Sequence, residues 1–180
     1  TGKAAELYLT EDGGENWRYI CTPATGGDFT SVIFDADERY VWYTEKKNLV
    51  KLDTKSGTFE SHNAKLSRYP AFRYIAQNPR DPKHILVTTY SGVLNGKFHD
   101  DPKLWETRDG GDTWHAVPGL MSSEVHRPAF SANTDEVFIG TMAGVLIYDY
   151  AKFNYYCSVP LIICEKTEWI TLPRFNDDNK

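Results

Sequence analysis

The chain has 180 residues, 41% of them hydrophobic and 14% aromatic, and its 20 basic against 25 acidic residues give a net charge of −5. This composition predicts one soluble globular domain and excludes a disordered or collagen-like chain. Because Lys and Arg are scattered and no stretch is apolar over the roughly 18 residues of a membrane helix, we expect neither a nucleic-acid partner nor membrane insertion. The chain starts at Thr1 with neither Met nor an apolar leader, so we expect a mature form or a fragment.

Short runs rich in β-branched and aromatic residues follow one another, at residues 6–10, 31–34, 40–44, 85–89 and 136–140. Clusters of Gly, Pro, Asp or Asn end each run before a helical stripe develops. The best helix candidate is 45–51, but its flanks favour a hairpin. The pattern therefore predicts an all-β fold.

The chain also contains an internal repeat, in which LYLTEDGGENW at residues 7–17 returns as LWETRDGGDTW at residues 104–114. Looser copies surround Asp53 and Asp149, and the four repeated aspartates stand 41, 56 and 40 residues apart. A period of about 40 to 50 residues with four strands in each unit is typical of a β-propeller blade. We predict a β-propeller or partial propeller of about four four-stranded blades.

The predicted domain or segment covers residues 1–173, with blade units at about 1–21, 29–62, 70–118 and 128–173 and a polar tail at 174–180. An insertion at 95–103 belongs in an exposed loop of the third unit. Residues 161–173 fit either two strands that complete the first blade or the fourth strand of the last one, so closure of the ring and the total blade number stay open. In an open ring the edge strands need further blades or another subunit as partner.

Each strong copy of the repeat reads as a turn organised by its aspartate, whose carboxylate accepts backbone N–H groups while glycines adopt conformations that other residues avoid. The tryptophan that follows is expected to fill the gap between blades. TRDGGDTW at 107–114 resembles the Asp-box, or BNR repeat (Ser/Thr-x-Asp-x-Gly-x-Thr-Trp), and Asn16 replaces Thr in the first copy. The resemblance implies structural rather than catalytic roles for Asp12, Gly14, Trp17, Asp53, Asp109, Gly111, Thr113 and Trp114.

Function is less sharply indicated, because Asp-box propellers include sialidases, xyloglucan-hydrolysing glycosidases, sortilin-type receptors, a photosystem assembly factor and adhesion proteins. SRYPAF at 67–72 resembles the Arg-Ile-Pro motif of sialidases, although HRPAF at 126–130 repeats it. Arg68 from this motif and Glu124, an acid near a predicted innermost strand, are the catalytic candidates. Near the innermost strands, Asp35 and Asp135 are expected to be solvated turn acids.

Candidate binding residues for a glycan or protein are Arg68, Tyr69, Arg127, Phe98 and His99. No cofactor or metal is expected, because the histidines and the three cysteines show no ligand spacing. Pairing of Cys157 with Cys164 is left open.

A partial ring lacks the converging strands of a central active site. We therefore expect a non-catalytic interaction scaffold in an extracellular, periplasmic or virion-associated assembly, with a protein or the remaining blades as partner. The alternative is a fragment of a sialidase-like or xyloglucanase-like glycoside hydrolase.

Overall fold

The computed structural model describes residues 5–23, 28–36, 38–45, 48–62, 72–89, 93–94, 97–98, 104–117, 125–141, 144–150 and 154–157. These residues form strands and turns with no helix among them, which confirms the predicted all-β class. In the described part of the chain, no helix is available that could cross a membrane.

The strands form three four-stranded antiparallel sheets and two hairpins. The N-terminal hairpin consists of β1 (Leu7–Leu9) and β2 (Arg18–Cys21). Sheet I consists of β3 (Phe29–Phe34), β4 (Tyr40–Glu45), β5 (Asn48–Asp53) and β6 (Phe59–Ser61). Sheet II begins with β7 (Phe72–Asn78) and β8 (Asp81–Thr89); a small hairpin of β9 (Val93–Leu94) and β10 (Lys97–Phe98) follows, and β11 (Leu104–Thr107) and β12 (His115–Ala116) complete it. Sheet III consists of β13 (Val125–Phe130), β14 (Glu136–Thr141), β15 (Gly144–Asp149) and β16 (Asn154–Cys157).

The three sheets share one plan, in which each strand pairs with the next along the chain, apart from the small hairpin inserted in sheet II. The register also repeats: Trp42 lies opposite Lys51 in sheet I, and Phe138 lies opposite Ile147 in sheet III. Glu45 at the end of β4 pairs with Asn48 at the start of β5, in agreement with the hairpin interpretation of 45–51.

The core lies between sheets rather than within one of them. Because strand side chains alternate between two faces, a sheet packed on both sides buries both sets. Strand β4 shows this, since every residue after Tyr40 is buried. One apolar cluster joins sheets I and II, a second joins sheets II and III, and a third joins the N-terminal hairpin to sheet I.

The first strands of the three sheets lie side by side, with β7 between β3 and β13. Hydrogen bonds fix the β3–β7 contact: the Ile75 backbone N–H donates to Ser31 Oγ at 3.3 Å, and Thr30 Oγ1 donates to the Phe72 carbonyl at 3.2 Å. Thr44 Oγ1 of β4 also donates to the Arg73 carbonyl at 3.0 Å. The sheets therefore radiate from a common inner layer of strands.

Candidate functional site

The turn at Asp109 joins β11 to β12 and is closed by its own side chains. The Asp109 carboxylate accepts the Thr107 hydroxyl at 2.6 Å, the Thr113 backbone N–H at 2.9 Å and the Thr113 hydroxyl. Gly111, at φ 106°, donates its N–H to Thr107 Oγ1 at 3.0 Å. The hydroxyls of Thr107 and Thr113, and then the Thr113 N–H, hold the pKa of Asp109 well below its usual range.

The turn at Asp12 reproduces this arrangement in the N-terminal hairpin. The Asp12 carboxylate accepts the Asn16 backbone N–H at 2.9 Å, the Asn16 amide at 2.7 Å and the Thr10 hydroxyl at 2.8 Å. Gly14, at φ 101°, donates to Thr10 Oγ1 at 2.8 Å. The two Asn16 donors, followed by Thr10, lower the pKa of Asp12 to about 2. Both carboxylates are thus occupied by donors of their own turns, which gives them a structural task.

The two tryptophans after these turns have different surroundings. Each indole donates to a glycine carbonyl at 3.0 Å, Trp17 to Gly14 and Trp114 to Gly111. Trp114 packs against the cluster between sheets I and II, as expected for a gap-filling residue. Trp17 differs from that expectation, because its side chain is 60% exposed.

The third aspartate turn departs from the pattern. Asp53 Oδ1 accepts the Lys55 N–H at 2.9 Å, whereas Asp53 Oδ2 pairs with Arg39 of the preceding turn at 2.5 Å. Hydrogen bonds from Arg39, and then from backbone N–H groups, hold the pKa of Asp53 well below its usual range. Phe59, which follows Asp53 where the strong copies have tryptophan, is 57% exposed.

A cleft of ≈ 600 Å³ between sheets II and III is lined by a linked cluster of polar side chains. Glu106 Oε2 accepts the Tyr150 hydroxyl at 2.7 Å and lies 3.4 Å from His84 Nε2, and Glu106 Oε1 accepts Arg108 Nε at 3.2 Å. His84, which is 2% exposed, also contacts the Tyr150 hydroxyl at 3.2 Å and the amide of Asn78 at 3.3 Å. The cluster bridges the two sheets.

The ionisation of this cluster limits its chemistry. Burial raises the pKa of Glu106, but the hydrogen bonds from His84 and Tyr150 and the charge of Arg108 outweigh burial and lower the pKa to about 2. Burial, and then the hydrogen bond to Glu106, raises the pKa of Tyr150 far above its usual range. At neutral pH Glu106 is therefore an ionised acceptor and Tyr150 a protonated donor, which makes their contact a charge-assisted hydrogen bond between the two sheets.

A second groove, of ≈ 470 Å³, runs across the first strands of the three sheets. Its described lining is apolar except for Gln77 and Arg127, so no carboxyl group lines it within the described residues. The Arg127 guanidinium carbon lies 5.9 Å from the centre of the Tyr74 ring. The groove offers apolar surface and one exposed cation.

Of the residues singled out for catalysis or binding, Arg127 is the one whose side chain can be placed, in β13 at this groove. Arg68, Tyr69, His99 and Glu124 lie outside the described residues, and Phe98 is described only as part of β10. No arginine cluster can therefore be built from them.

The expectation of two solvated turn acids is right for one and wrong for the other. The Asp135 carboxyl group is 64% exposed and pairs with Arg80 at 2.5 Å. Asp35 is buried. Its carboxylate is satisfied there, because Oδ2 accepts the Trp42 indole N–H at 3.0 Å and lies 3.5 Å from Lys51 Nζ. These two partners lie in β4 and β5, so they could not be inferred from the residues of the turn alone.

The interpretation of the sequence missed the cluster around Glu106. One signal was present in the repeat: Glu106 occupies the strand position that Leu9 holds in the first copy. A charged residue in place of an apolar one inside a strand calls for a buried partner. His84, in β8, and Tyr150, in the turn that follows β15, supply it.

The sequence matches no protein-family model and no curated protein. Among solved structures, an ancestral GH74 enzyme shares a TM-score of 0.63 at 16% identity, over 83% of this chain and 21% of that one. A GH74 enzyme from Niastella koreensis gives 0.60 at 17% identity, over 79% of this chain and 24% of that one. A chain of a nidogen/laminin complex gives 0.59 at 10% identity, over 77% of this chain and 50% of that one.

The fold is that of a β-propeller or of part of one. Sheets I, II and III have the form of blades, and their first strands make up the inner layer in the described part of the chain. The chain spans half or less of the length of these solved chains. At such low identity the likeness shows the fold alone, because one propeller architecture serves many activities.

Proposed function

We propose that this chain is a segment of an Asp-box β-propeller that acts as a non-catalytic interaction scaffold. The observation that carries the proposal is the make-up of the inner groove, whose described lining is apolar except for Gln77 and Arg127 and includes no carboxyl group. In the cleft between sheets II and III, His84, Tyr150 and Arg108 hold Glu106 in its ionised form. A glycosidase needs two carboxyl groups, one of which is kept protonated by its surroundings.

The Asp-box assignment is supported by the matching turns. Asn16 donates a backbone N–H and a side-chain hydrogen to the Asp12 carboxylate. Thr113, although a different residue type, donates the equivalent pair to the Asp109 carboxylate. We further propose blade units at about residues 1–21, 29–62, 70–118 and 128–173, followed by a polar tail.

The scaffold is proposed to work in an extracellular, periplasmic or virion-associated assembly. We propose a protein surface as its partner, because the exposed apolar side chains lie on sheet faces and in the inner groove. Glycan contact through Arg127 and the neighbouring Tyr74 is a lesser part of the proposal.

The second candidate is a fragment of a glycoside hydrolase, favoured by the likeness to two GH74 enzymes. Fluorogenic sialosides and xyloglucan oligosaccharides separate the two candidates. We expect no turnover above that of a heat-denatured sample. Turnover that is lost in Arg68→Ala or Glu124→Gln, with Arg127→Ala as the comparison variant, would overturn the scaffold proposal.

A further inference from the structure

The N-terminal hairpin has one packed and one open face. Leu7 and Ile20 pack on sheet I. Tyr8, Trp17 and Tyr19 lie on the opposite side and are 45%, 60% and 50% exposed. We call these three residues the hairpin face. Three large aromatic side chains left together in solvent are typical of an interaction surface.

The internal repeat shows what covers such a face. In the repeat, Tyr8 and Trp17 correspond to Trp105 and Trp114 of sheet II. Trp105 is 9% exposed, and both indoles join a cluster that contains Trp42 and Leu49 of sheet I. The approach is close, because a Cβ added to Gly111 would stand 2.8 Å from the Trp42 ring. A neighbouring blade therefore covers the equivalent face inside the chain.

Sheet III presents the complementary surface. Trp42 of sheet I lies opposite Lys51, and Leu49 lies opposite Thr44. The same register in sheet III places Phe138 opposite Ile147 and Val145 opposite Gly140.

Phe138 and Val145 thus correspond to Trp42 and Leu49, and they are 38% and 39% exposed. We call them the sheet III face. One chain therefore carries both halves of a blade-to-blade junction, and the side chains of both halves are exposed among the described residues.

We propose that a second copy of this chain docks head to tail, with the hairpin face of one copy on the sheet III face of the next. The contact would repeat the junction that sheets I and II make within one chain. Because the two faces differ, the contact is heterologous, and it produces either a closed ring or a filament. The inference deepens the proposed scaffold function, since it names the protein that the scaffold binds.

Sedimentation velocity of the full chain over a micromolar concentration series tests the docking. The wild-type mass should rise with concentration to a multiple of the monomer mass. Trp17→Asp and Phe138→Asp should each weaken association by about 30-fold or more, because buried aromatic residues dominate interface energies. Phe59→Asp, which replaces an aromatic side chain that is 57% exposed on another strand, should assemble like the wild type.

Mixing the two faulty variants gives the sharper result. Trp17→Asp keeps the sheet III face and Phe138→Asp keeps the hairpin face, so an equimolar mixture should form a heterodimer at concentrations at which each variant alone is monomeric. Circular dichroism melting should show that both variants remain folded, since both positions are solvent-exposed.

Three outcomes would overturn the docking. The first is a wild-type mass that stays monomeric at every concentration. The second is a Trp17→Asp variant that assembles like the wild type. The third is a Phe138→Asp variant that assembles like the wild type, which would mean that two hairpin faces pair with each other. None of them bears on turnover of glycosides, so failure of this inference and failure of the scaffold proposal are distinguishable.

Discussion

The turns at Asp12 and Asp109 form almost the same set of hydrogen bonds, but their surroundings differ. Sheet I covers the second turn, whereas Trp17 beside the first is 60% exposed. The local turn therefore forms whether or not a neighbouring sheet is present. At the second turn, sheet I additionally buries part of Trp114 and brings Trp42 close to the backbone of Gly111.

Replacing the two tryptophans should give the largest contrast. Trp114→Ala should lower the free energy of unfolding by about 3 kcal/mol, because it leaves a cavity between sheets I and II. Trp17→Ala should lower it by less than about 1 kcal/mol, because the indole is exposed. Urea unfolding of both variants measures the difference, and equal losses would mean that the two indoles have equivalent packing.

The turn glycines give a second matched pair. Gly14 and Gly111 have φ of 101° and 106°, so alanine is strained at either position. At Gly111 the new Cβ would also meet Trp42 at 2.8 Å, whereas at Gly14 the nearest atom, on Trp17, is 3.8 Å away.

Gly111→Ala should therefore destabilise the protein by about 1 to 2 kcal/mol more than Gly14→Ala does, because overpacking adds to the strain. Thermal or urea unfolding checks this. A larger loss for Gly14→Ala would place the close junction at the other turn.

Acid titration should show the two turns behaving alike. Both carboxyl groups have a lowered pKa in the folded state, so their stabilisation is present above pH about 4 and is lost as the pH falls further. NMR titration should give Asp12 a pKa of about 2 and Asp109 a lowered pKa as well. An ordinary pKa for Asp12 alone would show that the first turn needs a covering sheet to form.

Exchanging the residue that differs between the turns should have the smallest effect. Asn16→Thr keeps both donors to Asp12, since Thr113 supplies the equivalent pair to Asp109. We expect the free energy of unfolding to change by no more than about 0.5 kcal/mol. A larger loss would show that the Asn16 amide has a task of its own.

The sequence was most informative where a structure forms from neighbouring residues. Asp12 and Asp109 find their donors within four positions, and the repeated turn predicted both the hairpins and the four-stranded plan. Exposure of Trp17 was not predicted, because it depends on which sheet lies beside the hairpin. A repeat specifies the face of a strand but not the neighbour that covers it.

The polar cleft was hidden for a related reason. Glu106 and Tyr150 stand 44 positions apart, and the bond between them exists only because sheets II and III pack together. Asp35 was misjudged in the same way, since Trp42 and Lys51 bind it across the sheet. Long-range partners of buried polar groups leave no periodic signal in one sequence.

The central claim is that the repeated turn packs against a neighbouring sheet at Asp109 but not at Asp12. Nuclear Overhauser effects from the indole protons test this most directly. In a dilute sample, the Trp42 ring should show Overhauser contacts to Gly111 and to His62, whose ring centre lies 4.9 Å away. Trp17 should contact Gly14 and no proton of another sheet. Absence of the Trp42–Gly111 contact, or contacts from Trp17 to another sheet in a monomeric sample, would contradict the account.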